Sequence, residues 1–201
     1  MDYVLLAEQF FNGFQLGIIL FLVAAGLTLI FGIMDLVNLA HGTLYMFGAF
    51  LAATFVQLTD SLVLGMILTL PAMLVVGLVL ELGVLRTLYE RDHLDQVLAT
   101  FGLIIFFNEL FLIVWGAEGT GINLPSYLTG TSELPGGISV PAYRIVIIIS
   151  GLLVALLLYL LVSKTRIGML IRAGASNREM VGALGINIKL LFTLVFGLGA
   201  V

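Results

Sequence analysis

Residues 10–34 are an apolar run, interrupted only by Asn12, Gln15 and Thr28 and free of charge. A helix of about 20 such residues, rising 1.5 Å at each, crosses the roughly 30 Å hydrocarbon layer of a bilayer. Segments 36–58, 62–85, 97–115 and 143–162 repeat the pattern, with Pro71 a candidate kink in the third. Composition removes the soluble alternative. Hydrophobic residues make up 61% of the 201, charged residues 10%, and mean hydropathy is +1.22. Soluble domains carry about 25% charged residues, so this chain has too little polar side chain to cover a globule. The expected fold class is an all-α integral membrane protein, a polytopic helical bundle. Twenty-three glycines suit membrane helices. Zero cysteines exclude disulfides, thiolate metal sites and cysteine nucleophiles. A net charge of −4 gives no nucleic-acid footprint.

The first nine residues hold Asp2 and Glu8 and no Lys or Arg, so the basic start of a cleavable signal is missing and the first run reads as a retained span. A sixth apolar stretch begins at Leu190 and reaches Val201, about 18 Å of helix, without a stop signal. It reads as half a span, and the sequence as a piece of a longer chain.

Sidedness follows from the basic residues. Arg86 and Arg91 lie between spans three and four, and Lys164, Arg166, Arg172, Arg178 and Lys189 between spans five and six. The loop 116–141 holds no Lys or Arg. The positive-inside rule puts the two basic loops in the cytoplasm, with the N-terminus and loop 116–141 outside. A cytoplasmic turn at Asp35 then has almost no length. Loop 116–141, with Leu-Pro-Gly-Gly at 134–137, reads as an external cap, a docking surface or a plain connector.

Ionisable groups at membrane depth are costly and face protein or water-filled space. The stretch 32–42 concentrates them. Asp35, Asn38 and His41 stand three residues apart, so on a continuous helix they share one face, and Gly42 permits a break there. Two roles fit: hydrogen bonds that fix helix packing, or direct contact with a transported solute. Glu81 lies close enough to the cytoplasmic end to reach headgroup water. Glu109, near the outer end of span four, has a candidate ion-pair partner in Arg144.

In the second basic loop, Ser176 with Glu179 fits a capping box, the Ser hydroxyl taking the N3 amide and the Glu reaching back. A short helix would end at Leu184, with Gly185 at the C′ position. Met180, Val181 and Leu184 fall on one side of it. So short a helix is marginal alone, and it needs either a partner protein or the membrane surface to lie on.

Several chemistries are missing. There is no nucleotide-binding P-loop, no G-x-S-x-G and no H-E-x-x-H. His41 and His93 are expected at different depths, which disfavours a metal site. No cofactor is expected. The Gly13–Gly17 spacing reads as ordinary helix packing.

Three runs resemble one family. They are Leu27-Thr-Leu-Ile-Phe-Gly-Ile-Met-Asp-Leu-Val-Asn-Leu-Ala-His-Gly-Thr-Leu-Tyr-Met-Phe-Gly-Ala49, Leu94-Asp-Gln-Val-Leu-Ala-Thr-Phe-Gly-Leu103, and Thr165-Arg-Ile-Gly-Met-Leu-Ile-Arg-Ala173 through Gly185-Ile-Asn187. Together they are similar to the LivH-type permease of branched-chain amino-acid ABC transporters. The resemblance implies a non-enzymatic inner-membrane subunit moving Leu, Ile, Val or similar solutes by alternating access. It implies a second homologous permease, two cytoplasmic ATPase subunits and an extracytoplasmic substrate-binding protein as partners. It also makes 163–189 the cytoplasmic coupling loop and 1–201 part of one permease domain. Urea and short-amide permeases of the same superfamily remain an alternative. An ion-coupled secondary transporter would need an internal repeat and intramembrane acid pairs, and a hydrolase would need a nucleophile–base set. Neither pattern stands out.

Overall fold

The structure, a computed structural model, describes residues 3–122, 124–134 and 138–201. Most of the Leu-Pro-Gly-Gly run at 134–137 within the expected outer cap lies outside the described residues, as does Asp2. The helices are α1 (Tyr3–Met34), α2 (His41–Thr59), α3 (Leu62–Gly83), α4 (His93–Trp115), α5 (Ala142–Lys164), α6 (Arg166–Ser176), α7 (Arg178–Ala183) and α8 (Ile188–Ala200). A 3₁₀ turn, Leu85–Leu88, follows α3. Helices α1 to α5 have the length and hydropathy of membrane spans. The chain is an all-α polytopic membrane protein, with a single small β-hairpin among the described residues.

Several boundaries differ from the hydropathy reading. The second span starts at His41 rather than residue 36, because residues 35–40 leave the helix. Polar Asp92 and His93 extend α4 toward its start, and α8 begins two residues early at Ile188. Hydropathy marks where a chain is apolar; a cap marks where a helix begins. The Asn187 side chain accepts from the Leu190 amide at 3.1 Å and sets the start of α8.

Close crossings hold the bundle. Helices α2 and α3 are joined through Asp60, whose left-handed φ of 49° turns the chain. A Cβ on Gly65 would run into the backbone of Val56, so only glycine permits that approach. Phe47, Phe50, Phe107, Phe111 and Trp115 stack along the seam of α2 and α4, and the Trp115 indole donates to Thr54 Oγ1 at 2.9 Å.

Short α8 lies at the centre. Its Leu191, Phe192, Val195 and Phe196 are buried beside Ile30, Met34 and Met73. Helix α5 is the opposite case: Ile149, Leu153 and Leu156 all point outward. Such a surface in water would cost about 25 cal/mol per Å²; in hydrocarbon it costs nothing. The hairpin, β1 (Thr131–Leu134) with β2 (Ile138–Pro141), pairs antiparallel from Thr131↔Pro141 to Leu134↔Ile138. Strand β2 lies against α1 and α5 and buries Val140. Pairing across the hairpin is how residues 131–134 and 138–141 satisfy backbone groups without a helix.

Candidate functional site

The break between α1 and α2 is built from residues that read as one helix face. Asp35 takes a left-handed φ of 50° and ends α1, its amide bonded to the Phe31 carbonyl at 3.0 Å. Residues 35–40 therefore separate Asp35 and Asn38 from His41, and the shared helix face does not exist. Asp35 is exposed, while Asn38 and His41 are buried. Gly42 is not the breaking residue either, since it sits inside the first turn of α2.

An irregular segment at membrane depth must satisfy its amides from other side chains. The Val37 amide donates to Gln96 Oε1 at 3.0 Å and the Leu39 amide to Thr100 Oγ1 at 3.2 Å. The Ala40 amide donates to Asn38 Oδ1 at 3.0 Å. Gln96 also donates through Nε2 to the Leu88 and Arg91 carbonyls, at 3.2 and 3.1 Å. One face of α4 thus holds both the break and the loop after α3. Gln96 is 2% exposed and Thr100 0%. Sequence reasoning missed both; the available signal was their spacing of four on an otherwise apolar helix.

His41 opens α2 with its Nε2 3.2 Å from the Val23 carbonyl. A carbonyl only accepts, so Nε2 carries the proton. Nδ1 is then a buried acceptor with no partner among the described residues. Space for the ring comes from Gly26, where a Cβ would sit 3.1 Å from His41 Nε2 and 2.8 Å from the Gly199 carbonyl oxygen of α8. His41 also lines an apolar cavity of about 440 Å³ between α1, α2, α3 and α8, shared with Leu44, Tyr45, Gly48, Thr69 and Met73.

A second cleft, about 580 Å³, opens at the other end of the break. Asp35, the 89–93 loop, Arg178 and Lys189 line it, so three turns expected on one side of the membrane meet there.

Glu81 does not reach for headgroup water. It is fully buried, and its Oε1 accepts from Tyr89 Oη at 2.8 Å and from Arg86 Nε at 3.3 Å. Its Oε2 accepts from Arg86 Nη2 at 3.4 Å and from Thr193 Oγ1 of α8 at 3.0 Å. A buried carboxylate is tolerable only with such a set of donors. Burial, and then the Glu81 carboxylate, push the Tyr89 phenol well above its ordinary range, so it remains a donor. Arg86–Glu81 is the one ion pair among the described residues. The expected Glu109–Arg144 pair is not formed: Glu109 is exposed and Arg144 donates to Tyr143 Oη at 3.3 Å. One site faces outward on α4, and the other is turned onto its own aromatic neighbour.

The basic loop 163–189 holds two helices where one was expected. Thr165 caps α6, its Oγ1 accepting from the Gly168 amide at 3.0 Å. Ser176 ends α6 and does not cap α7. The cap is Asn177, whose Oδ1 accepts from the Met180 amide at 2.9 Å. Asn and Ser cap about equally well, and an α6 running through Ser176 decides between them. Glu179 falls in the first turn, where a negative charge suits the helix dipole. Gly185, at φ 85°, ends the element in the left-handed conformation. The apolar ridge divides. Met180 and Leu184 are 63% and 75% exposed, whereas Val181 is buried and anchors α7 to the protein.

The chain is thus a polytopic helical membrane protein with a broken first hairpin and short paired helices beside a cleft lined by acidic and basic residues alike. The chain belongs to the family described as the branched-chain amino acid transport system / permease component, whose pattern matches residues 9–201. It is 30% identical over 205 residues to the high-affinity branched-chain amino acid transport system permease protein BraD of Pseudomonas aeruginosa, covering 96% of this chain and 66% of that one. It is 28% identical over 207 residues to the LivH proteins of Salmonella typhimurium and Escherichia coli K12, with the same coverage. The chain thus spans just under two thirds of these relatives' length. No solved structure matches it.

Proposed function

We propose that this chain is a permease subunit of an ATP-driven importer of branched-chain, apolar amino acids in the inner membrane. The family match over residues 9–201 carries the reading. In it the N-terminus and the hairpin face outward, where a substrate-binding protein delivers solute. The loops 86–95 and 163–189 face the cytoplasm. A second permease completes the path, and two ATPase subunits drive it. The cavity beside His41 belongs to that path: it is apolar, like the side chains to be moved, and its one ring nitrogen without a partner could bond a polar group of a passing solute.

Helix α7 is the docking element. Met180 and Leu184 present exposed apolar area, and Val181 fixes the helix from behind. Leu184→Asp buries an unpaired carboxylate at such a contact. The variant should insert normally yet lose the ATPase on co-purification and lose substrate-stimulated hydrolysis. An ATPase that stays bound and coupled to Leu184→Asp puts docking elsewhere and leaves α7 to the membrane surface.

A further inference from the structure

We infer that Glu81 and Thr193 form a releasable latch that transmits movement of the α7–α8 segment to α3 during transport, with Thr193 as its positioning residue. The inference rests on the reading of α7 as the ATPase-docking element. Only four residues, 184–187, separate α7 from α8, so a push on α7 reaches Thr193 within about a turn and a half of α8. There the hydroxyl meets Glu81, the one acid of α3, which is buried. Arg86 Nη2 donates to the same hydroxyl at 2.9 Å, and Tyr89 packs edge-on against Phe192, with ring centroids 5.3 Å apart.

The contact is arranged to break without leaving an orphan on either side. A threonine hydroxyl has one proton, and here it has two acceptors: Glu81 Oε2 at 3.0 Å and the Lys189 carbonyl, one turn back in its own helix, at 2.9 Å. When α8 moves away, the proton turns to Lys189. Glu81 keeps Arg86 and Tyr89, both from the turn that follows its own helix. Arg86 is 38% exposed and has water to replace the threonine. Each member holds a local substitute, so among these polar contacts the hydrogen bond across α3 and α8 is the one that yields. A merely structural buried pair lacks such substitutes, and breaking it strands a charge.

The test is the ratio of leucine taken up to ATP hydrolysed, measured in proteoliposomes holding the complete transporter with its binding protein. Thr193→Val keeps the shape and removes the hydroxyl. It should lower the ratio about fivefold, the equivalent of one ordinary hydrogen bond, while ATP hydrolysis continues. Thr193→Ser should restore it. Tyr89→Phe should have a different effect from the valine variant. Without its phenolic donor, Glu81 leans harder on Thr193, so maximal uptake slows while the ratio holds and KM for the loaded binding protein stays put. A valine variant with the wild-type ratio overturns the latch, and so does a serine variant that behaves as valine does. If Thr193→Val fails to assemble, Tyr89→Phe decides alone: unchanged maximal uptake overturns the latch. Wild-type uptake that ignores ATP brings down the importer reading itself, a failure distinct from either.

Discussion

Gln96 touches four neighbours with one amide: the Val37 amide, the ring of His93 and the carbonyls of Leu88 and Arg91. Gln96→Leu keeps the volume and leaves the Val37 amide without its acceptor, at about 1–3 kcal/mol for a buried orphan. The variant should unfold at a clearly lower temperature in detergent and lose transport; an unchanged melting curve would remove Gln96 from the support of the break. His41→Ala bears on the path itself. At normal expression it should reduce uptake, and full uptake would exclude His41 from solute contact. Tyr89 offers a pH signature. Its phenol holds a proton more tightly folded than unfolded, so it contributes stability in full below its ordinary pKa of about 10. That contribution fades as pH climbs toward the raised folded value. An alkaline absorbance titration of wild type against Tyr89→Phe isolates the Tyr89 phenol, which should ionise well above the ordinary tyrosine range. A Tyr89 step at the ordinary pKa would contradict the buried Tyr89–Glu81 contact.

Helix α7 shows which features of an element sequence can carry. Its position and its Gly185 stop were legible from propensity and spacing alone, whereas the division of its ridge into exposed Met180 and Leu184 and buried Val181 was not. Its cap was not, because Ser176 and Asn177 are chemically equivalent there and an unforeseen α6 settles the choice. Asn177→Ala should therefore cost about 1 kcal/mol of local stability and Ser176→Ala almost nothing. Amide exchange across residues 178–183 reads the difference, and equal effects would contradict the observed cap. The spans were legible for the reason that makes hydropathy work: every backbone group in lipid is satisfied within its own helix. The break at 35–40 was not, since its amides are satisfied by Gln96 and Thr100, some 60 residues away. Glu81 escaped for the same reason. Thr193, the partner that makes its burial possible, comes from a helix 112 residues on.

The whole molecule gathers Asp35, the 89–93 loop, Arg178 and Lys189 at one end and the hairpin at the other. The native chain has no cysteine, so single cysteines at Arg91, Asn177 and Ser132 can be probed in intact cells with an impermeant thiol reagent. Position 132 should label and positions 91 and 177 should not; the reverse pattern inverts the proposed orientation. In the proposed function, solute crosses this bundle at the expense of ATP hydrolysed on another chain. Its most direct measurement is leucine uptake into proteoliposomes of the assembled transporter, with ATP enclosed with the ATPase and with ion gradients imposed or collapsed. Uptake should require ATP and the binding protein and ignore the gradients. Uptake that follows a proton or sodium gradient and proceeds without ATP would contradict it.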